Sequence, residues 1–200
     1  MQRTTDFILL QATLDATAVP GLAAAAQNWC ARSPVPMALH RAAWAADTQT
    51  GYVYGRLAAR TALDSHVLAA LTTAFGKVLA GATHIRASRL EAVLDLQGAS
   101  HSDKPIFHYV VETDAEEGWM SEIARWYDTE HMPGLAAVPG CIRATRLLNH
   151  DHGPQSLACY DLVSTQTLGS APWLAVRHTA WSDLARPHFT NTKRSMFSVV

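Results

Sequence analysis

The segment Trp126-Tyr127-Asp128-Thr129-Glu130-His131-Met132-Pro133 gathers more reactive side-chain chemistry than any other stretch of the 200-residue chain. An imidazole near a kinked helix end titrates close to neutral pH, so His131 is a candidate to accept or donate a proton. Asp128 lies three residues before it and Tyr127 four, the spacings at which a regular helix brings side chains together, and either could orient the ring as a catalytic partner. A structural role competes: a histidine beside Pro133 can hydrogen-bond carbonyls that the proline leaves unpaired. Trp126 stands at helical spacing from Trp119 and Ile123, which is how a buried stripe is written. As a pocket wall it would offer a ligand an apolar face.

Further candidates lie on strands. The run 106–112 alternates Ile106, His108, Val110 and Glu112 with Phe107, Tyr109 and Val111. The second set is wholly aromatic or aliphatic and should face helices, which turns His108 and Glu112 to the opposite, enclosed side as ligand-binding candidates. Buried there, each needs a partner. Arg143 shares a strand face with Thr145 and could hold a substrate carboxylate or neutralise Glu112. Asp161 faces the same choice between ligand and ion pair. Leu174, His178 and Trp181 fall on one helical face, which reads mostly as packing, with His178 and Trp181 kept as ligand contacts. First-half counterparts (His40, Tyr52, Tyr54, Arg56) sit on strands whose inward face the spacing does not reveal.

No metal site is expected. The chain has 10 histidines, but the one close pair, His150 and His152 around Asp151, lies in a turn with Asn149, Gly153 and Pro154, where loop composition explains it. Cofactors are not expected either. There is no H-E-x-x-H, no paired cysteine spacing, no P-loop, no G-x-G-x-x-G and no G-x-S-x-G. A single axial histidine for haem has no spacing signature, and nothing here asks for one.

The elements that must position these residues fall into two consecutive halves of like order. In residues 1–97, strand 6–14, helix 19–31, a hairpin of strands 37–46 and 52–58, a helix capped by Asp64 or Ser65 and running to about 79, and strand 83–96 give β-α-β-β-α-β. Residues 98–105, with Gly98, Ser100, Ser102, Asp103 and Pro105, read as a linker. In residues 106–200 the order repeats: strand 106–112, a helix from about 115 opened by Asp114, Glu116 and Glu117 and interrupted at Pro133, strands 141–148 and 156–163, helix 172–185 and strand 192–199. Each half is an α+β, ferredoxin-like unit with an antiparallel sheet and both helices on one face. A chain carrying two copies can cover the bare sheet faces by packing one against the other.

Composition agrees with a buried globular chain: 48% hydrophobic and 16% charged, with 16 Lys+Arg against 17 Asp+Glu. A net charge of -1 gives no field toward nucleic acid or anionic membranes, so neither is an expected partner. No apolar run approaches a bilayer span, Arg3 and Asp6 flank no signal-type core, and three widely spaced cysteines suit a reducing compartment, so a soluble cytoplasmic protein is expected. It could work alone as a pseudo-dimer or form a homodimer.

The 126–134 segment, followed by Val138-Pro139-Gly140 and strand 141–148, resembles the first helix and second strand of the dimeric α+β barrel superfamily. It is most similar to EthD-like and related uncharacterised members, where W-Y-x-x-H-x-P and V-P-G recur. The resemblance covers about residues 104–200; the first half agrees only in element order. It implies two ferredoxin-like units, here in one chain, with a pocket between sheet and helices. Chemistry in that superfamily ranges over cofactor-free oxygenation, lactone isomerisation, polyketide cyclisation and haem-dependent reactions, so the fold leaves function open. The expectation is a small-molecule protein, a cofactor-independent enzyme of isomerase, cyclase, lyase or oxygenase type, with His131 moving a proton on an apolar or aromatic ligand that can carry an anionic group. Two alternatives are a non-catalytic binding or stress-response protein, and a fold whose aromatics leave no cavity.

Overall fold

The computed structural model describes residues 3–200. The expected element order is present twice. The first unit, residues up to Ala92 together with Asn149–His152 and Phe197–Val200, contains β1 (Arg3–Thr13), α1 (Val19–Ala31), β2 (Met37–Ala45), β3 (Thr50–Leu63), α2 (Ser65–Val78) and the first part of β4 (Thr83–Gln97). Its antiparallel sheet runs β4-β1-β3-β2, and the last residues of β8 (Phe189–Val199) pair with β2 through Ala43↔Val199 and Trp44↔Ser198. Pro20 starts α1 without losing a hydrogen bond, and the Asp64 carboxylate caps α2 by accepting from the amides of His66 and Val67. The helices bury Trp29 and Phe75 edge-to-face at 5.9 Å, and the indole N–H of Trp29 donates to the Leu71 carbonyl.

The second unit, Val93–Leu148 and Gly153–Met196, holds the rest of β4 and β8, β5 (Phe107–Ala115), α3 (Met120–Trp126), a π-helical turn (Tyr127–His131), α4 (Met132–Ala136), β6 (Cys141–Asn149), β7 (Ser156–Leu162), α5 (Ala171–Arg177) and α6 (Ala180–Ala185). Its strands run β8-β5-β7-β6, so each unit has the same order of last, first, third and second strand. The fold is α+β. Its core is separate from that of the first unit and centres on Trp126, Tyr127, Leu135, Tyr160 and Trp173.

Three expectations change here. The acidic run at 114–117 opens no helix: Ala115 ends β5, and α3 begins only at Met120 after Gly118, whose φ of +83° lets the chain turn back. The helix expected over 172–185 is two short ones, because Thr179 leaves the helical conformation and caps α6 with its hydroxyl accepting from the Ser182 amide. The boundary between units falls inside β4, and residues 98–105 are not a free linker. The amides of Gly98, Ala99 and Ser100 donate to the carbonyls of Ile142, Ala136 and Cys141, and the Gly140 amide donates to Ser100 Oγ.

That stitching leaves no room at Gly98. A Cβ there would stand 2.6 Å from the Cys141 carbonyl carbon and 2.8 Å from that of Ile142, both backbone atoms. Gly98→Ala is expected to destabilise the fold by about 1–3 kcal/mol, the usual range for overpacking. Thermal unfolding checks it, with a fall of roughly 2–4 °C per kcal/mol for a chain of this size; an unchanged midpoint would show that the strand end yields freely.

Candidate active site

Pro133 has no amide hydrogen, so a helix running through it must change its bonding pattern. It does so one turn earlier. Residues 127–131 wind as a π turn in which the Met132 amide donates to the Tyr127 carbonyl, five residues back, before α4 resumes with Pro133 in its first turn. The wider winding sets which side chains share a face. Trp126, five residues before His131, stacks on the imidazole with ring centroids 4.2 Å apart and 24° between planes, while Tyr127 meets it edge-on at 5.7 Å. Asp128 is carried away from the ring and forms a two-bond ion pair with Arg146, Nε to Oδ1 and Nη2 to Oδ2, both 2.8 Å. The contact expected between Asp128 and His131 is absent because the spacing that predicts it belongs to an α-helix.

His131, Trp126 and Tyr127 line a cavity between the sheet and the helices of the second unit, closed on the sheet side by Tyr109, Val111 and Tyr160 and flanked by Trp173 and Phe189. Tyr160 lies edge-to-face on Trp173 at 5.3 Å and Tyr127 stacks on Phe189 at 6.0 Å. The cavity volume is about 30 Å³, within about 390 Å³ of free space that includes its mouth. That holds a water or two between the rings. Arg177, Arg186 and Arg194 also line the cavity, the first two half-buried and Arg194 exposed, and their long side chains have rotamer freedom that the packed rings lack.

The polar atoms of this wall are unusual for a protein interior. Trp126 Nε1, His131 Nδ1 and Tyr160 Oη are all buried without a hydrogen-bond partner among the described residues, whereas buried polar groups are paired in the great majority of cases. Burial, with smaller contributions from Arg186 and Arg177, pushes the His131 imidazole down to about 3, so the ring is neutral at physiological pH and a weak base while the cavity holds no anion. Burial also drives the Tyr127 and Tyr160 phenols upward, keeping both protonated as potential hydrogen-bond donors.

The other sequence candidates lie elsewhere. His108 and Glu112 point to the sheet face opposite Tyr109 and Val111, as the alternation requires, but each has a protein partner: His108 Nδ1 lies 2.8 Å from Oδ1 of Asp161, its cross-strand neighbour, and Glu112 lies 3.6 Å from Lys193 Nζ. Arg143 neither neutralises Glu112 nor reaches the cavity. The register sets it opposite Asp161, and its guanidinium engages both carboxylate oxygens of Asp95. His178 ends α5 on the surface. Trp181 donates to Glu122 and packs under the Arg125 guanidinium. Sequence reasoning misses Arg186 and Arg194 altogether and leaves Arg177 as helix packing, because the three come from α5, a short 3-10 turn (Arg186–His188) and β8.

Among the described residues, no three His, Cys, Asp or Glu side chains gather as a metal would require, the three cysteines are buried and free, and no helix is long and apolar enough to cross a membrane.

By sequence, the chain matches no known family profile and no curated protein. By structure it is similar to a candidate monooxygenase from Lactobacillus acidophilus NCFM, with a TM-score of 0.67 at 12% identity over 98% of this chain and 94% of the other. An anthrone oxidase-like protein aligns with a TM-score of 0.63 at 15% identity, covering 99% of this chain and 92% of its own. A single-residue mutant of chlorite dismutase from Candidatus Nitrospira defluvii aligns at 0.56 and 8% identity over 97% and 92%. At such identities the likeness is one of fold.

Proposed function

We propose that the second unit binds a planar aromatic small molecule in the cavity beside His131, and that the neutral imidazole accepts a proton from it without help from a cofactor. The observation that carries this is the buried, unpartnered His131 Nδ1 in an aromatic cavity whose other unpaired polar atoms, the Trp126 indole N–H and the Tyr160 hydroxyl, can donate hydrogen bonds. A proton leaving a phenol or an activated C–H would pass to the imidazole, with the anion left beside the new imidazolium offsetting the burial that holds the free ring near 3. The oxygen or enolate left behind would be held by those donors, which is how fixed dipoles favour a developing anion. Ring faces on several sides favour a flat ligand over a flexible aliphatic one. Because the cavity is narrow, the ligand enters by displacing arginine side chains that line it.

This extends the EthD-like resemblance of the 126–140 segment to a role for His131 and Trp126; Tyr127 becomes a wall and Asp128 a strut for Arg146. Among proteins of the same fold, one is described as a candidate monooxygenase and another as anthrone oxidase-like, which sets oxygen uptake among the reactions to assay.

The test is a panel of hydroxylated polycyclic aromatics, with binding followed by tryptophan quenching and turnover by absorbance and oxygen consumption. A compound that is converted should lose at least about 100-fold in kcat in His131→Gln, the usual contribution of a positioned base, with its quenching curve little changed. Saturable binding with no turnover of any compound would leave a binding protein in place of an enzyme. Turnover that survives in His131→Gln would remove the proton-accepting role.

A further inference from the structure

We propose that Arg177, Arg186 and Arg194 form a subsite for an anionic oxygen group, a carboxylate or a phosphate, carried by the planar ligand of the same cavity. It rests on the reading of that cavity as an aromatic-ligand site and narrows its substrate to aromatic acids or aryl phosphates.

The geometry points there because three arginines line one cavity and none has a carboxylate within ion-pair distance among the described residues. Elsewhere in the second unit the pattern is the reverse. Arg125, Arg143 and Arg146 each hold an acid, on Glu122, Asp95 and Asp128. Among the described residues, the polar contact of a guanidinium inside the cluster is Arg186 Nη1 donating to the Arg177 main-chain carbonyl at 3.4 Å, a bond that sets position without neutralising charge. Like charges gathered in a partly dry place raise the energy of the empty site: burial, then Arg177 and Arg194, hold the Arg186 guanidinium below its ordinary value, with Tyr127 and Asp183 as the weaker opposing neighbours. An arrangement that repels itself when empty is relieved by an anion. Planar guanidinium forks suit the paired oxygens of carboxylate and phosphate.

Position strengthens the case. Arg194 is exposed and Arg177 and Arg186 are half-buried, whereas Trp126 and Tyr160 are buried, so a ligand whose flat part lies against those rings can present its charged group to the guanidinium groups on the wetter side, where desolvation is least. The sequence disperses these residues over two helical turns and a strand, and the fold collects them.

Three probes with one ring system separate the possibilities: 1-naphthol, 1-naphthoate and 1-naphthyl phosphate, titrated by tryptophan quenching, with inorganic phosphate as a fourth probe followed by thermal shift. The native protein should bind naphthoate or naphthyl phosphate roughly tenfold or more tightly than naphthol, and the preferred one distinguishes carboxylate from phosphate. Arg186→Met, which keeps the aliphatic stem, should abolish that preference while leaving naphthol affinity within a few-fold. Its ligand-free melting temperature should rise, since one member of a repelling trio is gone. Arg194→Met, at an exposed position on β8, repeats the measurement without touching the helical turns. Naphthol bound as well as the two anions, or a preference unchanged in both variants, would overturn the subsite and leave the aromatic reading standing. If no naphthyl compound binds but inorganic phosphate raises the melting temperature of the native protein and not of Arg186→Met, the subsite stands and the aromatic reading falls.

Discussion

Lowering the pH from about 7 to about 4 is expected to weaken the fold by on the order of 3 kcal/mol through His131 alone. The ordinary imidazole value is 6.5, and burial, with Arg186 and Arg177 adding to it, brings the native value to about 3. Between those values the unfolded chain binds a proton that the native state refuses, so the unfolded state gains protons as the pH falls and stability is lost over that window. The loss begins near 6.5 and is complete only below about 3. Urea midpoints at the two pH values measure it, and His131→Phe, which keeps a ring beside Trp126 but cannot titrate, should flatten most of the dependence. Equal slopes in the two proteins would mean that the ring is reached by water and titrates normally.

A second large effect is expected in the first unit, where Arg89 is 7% and Asp151 13% exposed in their side chains. Asp151 accepts from Arg89 Nε at 3.0 Å, Nη2 at 2.6 Å and the Arg89 amide at 2.8 Å, while Arg89 Nη1 donates to the Leu63 carbonyl at 2.7 Å. Asp151→Ala leaves a buried guanidinium without its counter-charge and should cost about 3–5 kcal/mol. The pair itself is worth less than that, because removing both charges also removes both desolvation penalties. Arg89→Met combined with Asp151→Ala should therefore recover a good part of the loss in urea unfolding. A double variant as unstable as the single one would show that the loop geometry, not the unpaired charge, sets the cost. Burial opposes ionisation of Asp151 but its bonds from Arg89 prevail, so its carboxyl lies below the ordinary 3.8. Its acid-dependent stability is present above 3.8 and is lost only as the pH drops further, mostly below the window assigned to His131.

Asp151 also shows what composition hides. In the sequence it sits in Asn149-His150-Asp151-His152-Gly153-Pro154 and reads as a solvated turn. Those residues do turn, with Asn149 Oδ1 accepting from the Asp151 and His152 amides. The carboxylate is nonetheless a largely buried anchor for Arg89, 62 residues earlier in the chain, and no local pattern announces such a partner. The same holds for 98–105, whose polar residues resemble a linker while their amides are committed to Ala136, Cys141 and Ile142.

What can be read from the sequence is periodic. Alternation over 106–112 places Tyr109 and Val111 toward the helices and His108 and Glu112 away from them, and the order of strands and helices gives the α+β class. What cannot be read is register and helical phase. Pairing Arg143 with Glu112 assumes that both face the same enclosed space; the register puts Arg143 opposite Asp161, and its side chain reaches Asp95 on a strand that sequence alone does not seat beside it. Assigning Asp128 to His131 counts in α-helical steps through a stretch that is not α-helical.

That stretch has a consequence of its own. A π turn carries one residue more than the α turn it replaces, so a helix can lose a single residue between 127 and 131 and still be a continuous helix with Pro133 further along. Loss of Thr129 would keep every ring and charge of this region and place Trp126 four residues before the imidazole, about 40° apart on roughly 100° of rotation per residue, so the two rings would still share a face. The turn thus takes up its additional residue locally, and the indole and imidazole on either side of it keep their common direction.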